Sequence, residues 1–295
     1  MNRAAPFLFL LTFGTIWGLT IPLTKVAVAS GHHPFGLIFW QFFLSAIVLY
    51  ALIRVRRSRL VIDRSHIVFF TVIAFTGTLL PNTASYFAAF HLPAGVMALV
   101  IALVPMFALL VALTLRLERF QWRRLTGVLL GGTAIALLVL PDTSLPDPSK
   151  AIFILAALIA PMFYGIEGNY LSVKQPADTG PVATLFGASV IGSVVSLPLT
   201  LLTGTFLNPI GSGIGSSELA LIANIGLHLV AYVGYIWLVN KAGPVFSAQI
   251  AYIVTPAGIV LSIFLLGEQP STYVWLALVV LLIGLFLVQP RQKSI

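Results

Sequence analysis

The sequence contains no cysteine. This excludes disulfides, thiolate catalysis and Cys-based metal sites, and it leaves the redox compartment open. Charge is nearly as scarce, at 8% of residues, with 16 Lys and Arg against 8 Asp and Glu. So little polar surface cannot cover a soluble globule of 295 residues that is 59% hydrophobic. A nucleotide-binding motif is also lacking. The glycines of the stretch Gly211 to Ser216 come without the lysine of a P-loop or a strand–helix setting, which argues against ATP-driven transport.

What the sequence has is long apolar runs. They fall at about 6–28, 34–53, 67–90, 93–115, 124–141, 151–173, 180–203, 218–240, 243–266 and 271–290. A helix needs ~20 residues to cross ~30 Å of hydrocarbon, so each run is long enough or nearly so. The runs lack the alternation of barrel strands, and the expected fold class is an all-α integral membrane protein with ten transmembrane helices. Arg3 followed by an apolar run ending in Ala27-Val28-Ala29 has the outline of a secretory signal. Trp17, Pro22 and Lys25 make a poor approach to a cleavage site, so the segment is expected to stay as the first span.

The chain is also written twice. Pro105, Glu118 and the Gly131-Gly132 pair recur in order as Pro256, Glu268 and Gly284. Upstream, Trp17-Gly18 matches Tyr164-Gly165, Pro34 matches Pro181, and Tyr86 with Ala94-Gly95 matches Tyr235 with Ala242-Gly243. The shared order and near-constant offset divide the chain into 1–141 and 151–290, joined by a proline-rich seam. With five spans in each half, an odd number, the second half must enter the membrane in the opposite direction.

The cations agree with that inversion. With the N-terminus inside, every Lys and Arg except Lys25 and Lys150 falls on the cytoplasmic side, so both termini are expected there. The loops after spans 2 and 4 are arginine-rich, whereas their counterparts at 204–217 and 267–270 carry no Lys or Arg. These cations suit anionic lipid headgroups rather than nucleic acid. Inverted repeats are used to build a central site between two halves that rock. The ten spans, Trp17-Gly18 and the twice-written proline, glutamate and glycine resemble the EamA-type carriers of the drug/metabolite transporter superfamily. That resemblance covers the whole chain and implies a secondary transporter of small solutes.

Candidate site residues follow from polarity inside spans. Glu167 is the one acidic residue within a span, so it either faces a cavity or snorkels toward Lys174, and Asn169 could accompany it. Asn224, His228, Tyr232 and Tyr235 share a helical face in span 8, and Thr78, Asn82 and Tyr86 share one in span 3. Two such stripes cannot face lipid, so they either glue helices together or line a cavity. The expectation is one midplane cavity with Trp17 and Tyr164 as aromatic walls, suited to a solute with an aromatic or cationic part. Trp40 and Gln41 are weaker candidates, and Lys25 either snorkels or meets an anion. Glu118 and Glu268 are expected to bind the helix starts next to them, near 124 and 271. Pro81, Pro105, Pro161 and Pro256 can kink their spans.

The function expected is export of a small metabolite, such as an amino acid or a drug-like compound, by alternating access, without a cofactor. Glu167 is the candidate coupling residue, and protons are the candidate ion because no second intramembrane carboxylate is present to help bind Na⁺. A facilitated uniporter or importer is the alternative reading, with a non-transporting scaffold or intramembrane enzyme more remote.

Overall fold

The computed structural model describes residues 4–57, 60–208 and 214–289. Arg3, Arg59, Arg291 and Lys293, four of the cations that orient the chain, and residues 211–213 of the glycine-rich stretch lie outside the described residues.

Among the described residues every regular element is helical, because a backbone in hydrocarbon must satisfy its own N–H and C=O groups. The first half comprises α1 (Ala4–Ala29), α2 (Pro34–Val55), α3 (Arg64–Ala74), a π-helical turn (Phe75–Leu79), α4 (Leu80–His91), α5 (Ala94–Ile101), α6 (Val104–Thr114) and α7 (Trp122–Val139). After the seam come α8 (Ile152–Ala157), α9 (Ile159–Lys174), α10 (Pro181–Leu202), α11 (Ser216–Ala242), the short α12 (Pro244–Ser247), α13 (Ala251–Leu266) and α14 (Thr272–Val288). Among the described residues, eight continuous helical segments are long and apolar enough to cross a bilayer, and α13 and α14 are two shorter apolar helices.

The breaks sit where the repeat puts them. α5 gives way to α6 at Ala102-Leu103, and the short helical turns before α13 end at Ile250. Pro105 enters the first turn of α6, where a missing N–H costs little, whereas Pro256 lies inside α13. In the span formed by α3 and α4, Pro81 has no N–H to donate and its ring crowds the carbonyl of Gly77, four residues earlier; the helix widens there into the π turn.

Helix packing repeats as well. α1 lies on α13, and α9 lies on α6. At the first contact a Cβ on Gly18 would stand 2.8 Å from the Ala257 Cβ; at the second, a Cβ on Gly165 would stand 2.7 Å from the Ala108 nitrogen. Small residues let these backbones close to van der Waals distance, the main source of helix association in lipid. α7 and α14 cross where Gly127 and Gly284 face each other, while α2 pairs with α10. The large apolar side chains left outside, such as Leu202 and Phe264, are those expected to meet lipid.

Candidate functional site

α1, α4, α9 and α11 converge on the middle of the bundle. Their polar side chains sort into two adjoining chambers. An amide chamber of about 70 Å³ is lined by Thr20, Thr24, Gln41, Asn82, Ser85, Tyr86 and Asn224. An aromatic chamber of about 30 Å³ is lined by Glu167, Tyr232 and Tyr235, with Val104, Ile250 and Ala251. Trp17, Tyr164 and His228 line both and form the partition.

The amide chamber holds a hydrogen-bond network that, apart from His228 of the partition, leaves only the Ser85 hydroxyl, among its described side chains, buried without a partner. Gln41 Oε1 accepts from Asn82 Nδ2 and from the Tyr86 hydroxyl, each at 2.8 Å, and the Tyr164 hydroxyl donates to Asn82 Oδ1 at 2.9 Å. Gln41 from α2 is thus its centre, a weight its sequence position does not signal. Asn224 Nδ2 donates to the Thr20 carbonyl and the Thr24 hydroxyl, both at 2.9 Å, tying α11 to α1.

The aromatic chamber is the opposite case. Glu167 is 1% exposed, yet its Oε1, the Tyr232 hydroxyl and His228 Nε2 are all buried and make no hydrogen bond among the described residues. The exposed Lys174 forms no ion pair with Glu167, so the carboxylate does not snorkel to it. Glu167 Oε1 and the Tyr232 hydroxyl both press on the point where a Cβ would sit at Gly77. Only glycine in the π turn leaves room for them. Rings line the chamber beside the carboxylate: the Trp17 centroid lies 5.6 Å from that of Tyr235 and 6.3 Å from that of Tyr232, and His228 lies 5.2 Å from Tyr232.

Several sequence expectations are placed elsewhere. The single midplane cavity is two small chambers. Thr78 is buried in the π turn and is not among the residues lining either one, because the extra residue of that turn rotates it off the Asn82–Tyr86 stripe. Asn169 does not reach the chambers; its Nδ2 donates to the carbonyls of Ala108 and Gly165 and fastens α9 to α6. Trp40 donates to the Leu207 carbonyl in the loop after α10. Among the described residues Lys25 forms no ion pair. Its amine donates to the carbonyls of Ala89, Phe90 and Leu92, satisfying the free end of α4, where a cation is favourable. Glu268 does not bind near 271 but accepts from the N–H groups of Ala94 and Gly95 at 2.6 and 2.9 Å, capping α5 of the other half. Glu118 does bind near 124, through the Arg124 guanidinium at 2.9 Å. Lys25 and Glu268 also line a wider vestibule of about 630 Å³ under the seam, with His91, Asp147 and Lys150. Because Lys25 lines the amide chamber too, it stands where vestibule and chamber meet.

The chain has relatives among known proteins. The Escherichia coli protein named uncharacterized inner membrane transporter YedA is 26% identical over 67% of this chain, and the match spans 62% of that relative's length. A probable terminal-alkyne amino-acid exporter of Streptantibioticus cattleyicolor is 25% identical over 61% of this chain and 59% of its own. An S-adenosylmethionine uptake transporter of Rickettsia felis is 26% identical over 66% of this chain and 61% of its own. A solved crystal structure superposes on 97% of this chain and 96% of its own with a TM-score of 0.62 at 19% identity, a likeness of fold. The model of the EamA-like transporter family matches residues 5–140 and again 151–289, the same two halves, and the chain belongs to that family.

Proposed function

We propose that the protein is a secondary transporter that exports a small metabolite or drug-like compound across the cell membrane by alternating access, coupled to protons. The ten apolar runs form ten crossings with both termini in the cytoplasm, and the solute sits in the two chambers, against Trp17, Asn82, Tyr86, Tyr164, His228, Tyr232 and Tyr235. One observation carries this reading. Three buried polar atoms, on Glu167, His228 and Tyr232, converge without partners in one chamber at the middle of the bundle. Such groups are costly in a purely structural interior, where a lost hydrogen bond costs about 1–3 kcal/mol each, and intramembrane ionisable residues mark transport pathways. Two of the three named relatives differ in direction, one exporting and one importing, and the export reading accords with the first.

The test is flux of a labelled solute panel through proteoliposomes with and without an imposed pH gradient. Glu167→Gln is expected to lose gradient-driven flux. If it transports as well as the wild type under the gradient, Glu167 is a structural group and the protein a facilitated carrier.

A further inference from the structure

The aromatic chamber has the electrostatics of a cation site that the protein itself leaves unfilled. One carboxylate stands in it, and none of the described lysines and arginines forms an ion pair with that carboxylate. Trp17, Tyr232 and Tyr235 line the same chamber with ring centroids 5.6–6.3 Å apart, so a cation beside the carboxylate has aromatic rings as its neighbours. An ionised carboxylate is stable in such a place only with a counter-charge. From this we propose that the transported solute carries a primary ammonium group, which enters the aromatic chamber and pairs with Glu167, while its uncharged body lies across the Trp17–Tyr164 partition in the amide chamber. The assignment rests on the transport reading above and names the substrate class of that site.

Size selects among cations. A water needs roughly 10–15 Å³ of such volume, so a chamber of about 30 Å³ accepts an ammonium with its first carbon. A trimethylated nitrogen is several times bulkier and does not fit without displacing a ring. Polar demand selects in the same direction. The unpartnered acceptor of Glu167, together with the Tyr232 hydroxyl and His228 Nε2, offers several points to the three N–H donors of a primary amine, whereas a quaternary nitrogen has none to give. In the neighbouring chamber Gln41 and Asn82 already satisfy each other, so the solute's body needs no charge of its own there.

The experiment is calorimetric titration of the purified full-length protein in lipid nanodiscs at about pH 8, where an alkylamine is protonated. The probes are 3-methylbutylamine, its uncharged isostere 3-methylbutan-1-ol, and the N,N,N-trimethyl derivative of the amine. The amine is expected to bind at least about thirtyfold tighter than either of the others, the scale of losing one partner of a buried charge pair. Glu167→Gln is expected to lose amine binding while keeping the wild-type circular dichroism spectrum. Should that variant fail to fold, the comparison of three probes on the wild-type protein decides alone. The proposal is overturned if the alcohol or the quaternary compound binds as tightly as the amine, if no probe binds, or if folded Glu167→Gln retains full affinity. Flux of some other solute by a protein that binds no amine removes this inference only. Amine binding without flux of any solute removes the transport reading and leaves the site.

Discussion

At the scale of the residue, the amides of one chamber are paired, whereas the buried polar atoms of Glu167, His228 and Tyr232 in the other are not. Gln41 holds two donors at once, so Gln41→Leu leaves both Asn82 Nδ2 and the Tyr86 hydroxyl buried and unpaired. A cost of about 1–3 kcal/mol for each orphaned group is expected, read as a lowered thermal unfolding midpoint in detergent; an unchanged midpoint would mean that water or a rearranged Asn82 replaces the amide. Gly77 makes a sharper case. A methyl there collides with the Glu167 carboxylate and the Tyr232 hydroxyl, so Gly77→Ala is expected to abolish solute binding and to destabilise the fold by about 1–3 kcal/mol, the usual range for overpacking. Gly132 supplies the control, since a Cβ there meets nothing and Gly132→Ala is expected to leave binding intact. Glu167, His228, Tyr232 and Tyr235 were legible in the sequence because polar residues in apolar runs stand out. Gln41 was legible only as a weaker candidate, because a sequence does not show that two donors meet on its amide, and Gly77 was not legible, because it matters for the side chain it lacks.

At the scale of the element, the hinge-like features gather at the turn from α4 to α5. Lys25 satisfies three carbonyls before the turn, and Glu268 satisfies two N–H groups after it, so one short loop is fastened to α1 and to the end of α13. Both contacts are charge-assisted hydrogen bonds, the stronger kind. Glu268→Gln is therefore expected to speed amide hydrogen exchange at Ala94 and Gly95 with little change at α2 and α10; uniform protection across the chain would show that packing alone holds the turn. The helices and their breaks followed from apolar run lengths and prolines, but the partners of Glu268 and Lys25 did not, because such contacts join residues 64 or more positions apart. α3 shows a smaller device at its start. The Ser65 hydroxyl and the His66 ring hold the carboxyl of the N-cap Asp63 well below the usual carboxylate range. A lowered folded-state value means that this contribution is present above the ordinary carboxylate range and fades only as pH falls through the lowered value. Fraying of the first turn of α3 is thus expected only in strong acid, and Asp63→Ala is expected to show it at neutral pH, by exchange at Ser65 and His66.

At the scale of the whole molecule, the repeat is what sequence and structure share most fully. The breaks after Ile101 and before Ala251, and the glycine contacts at Gly18 and Gly165, sit at equivalent places in the two halves. The proposed inversion of the second half rests on the basic residues. Arg54, Arg56, Arg64, Arg116, Arg119, Arg123 and Arg124 flank spans 2 to 5 at ends that an N-inside chain places in the cytoplasm, and the loop after α10 lacks cations entirely. Orientation is set by such loop charges before any tertiary packing forms, so it can be tested apart from the site. A reporter active only outside the cytoplasmic membrane is expected to be silent when fused after Ile295 and active when inserted within residues 204–217. Strong activity after Ile295 would mean an odd number of crossings. In that case either α13 or α14, the two shorter apolar helices, fails to span, and the second half no longer mirrors the first in its number of crossings.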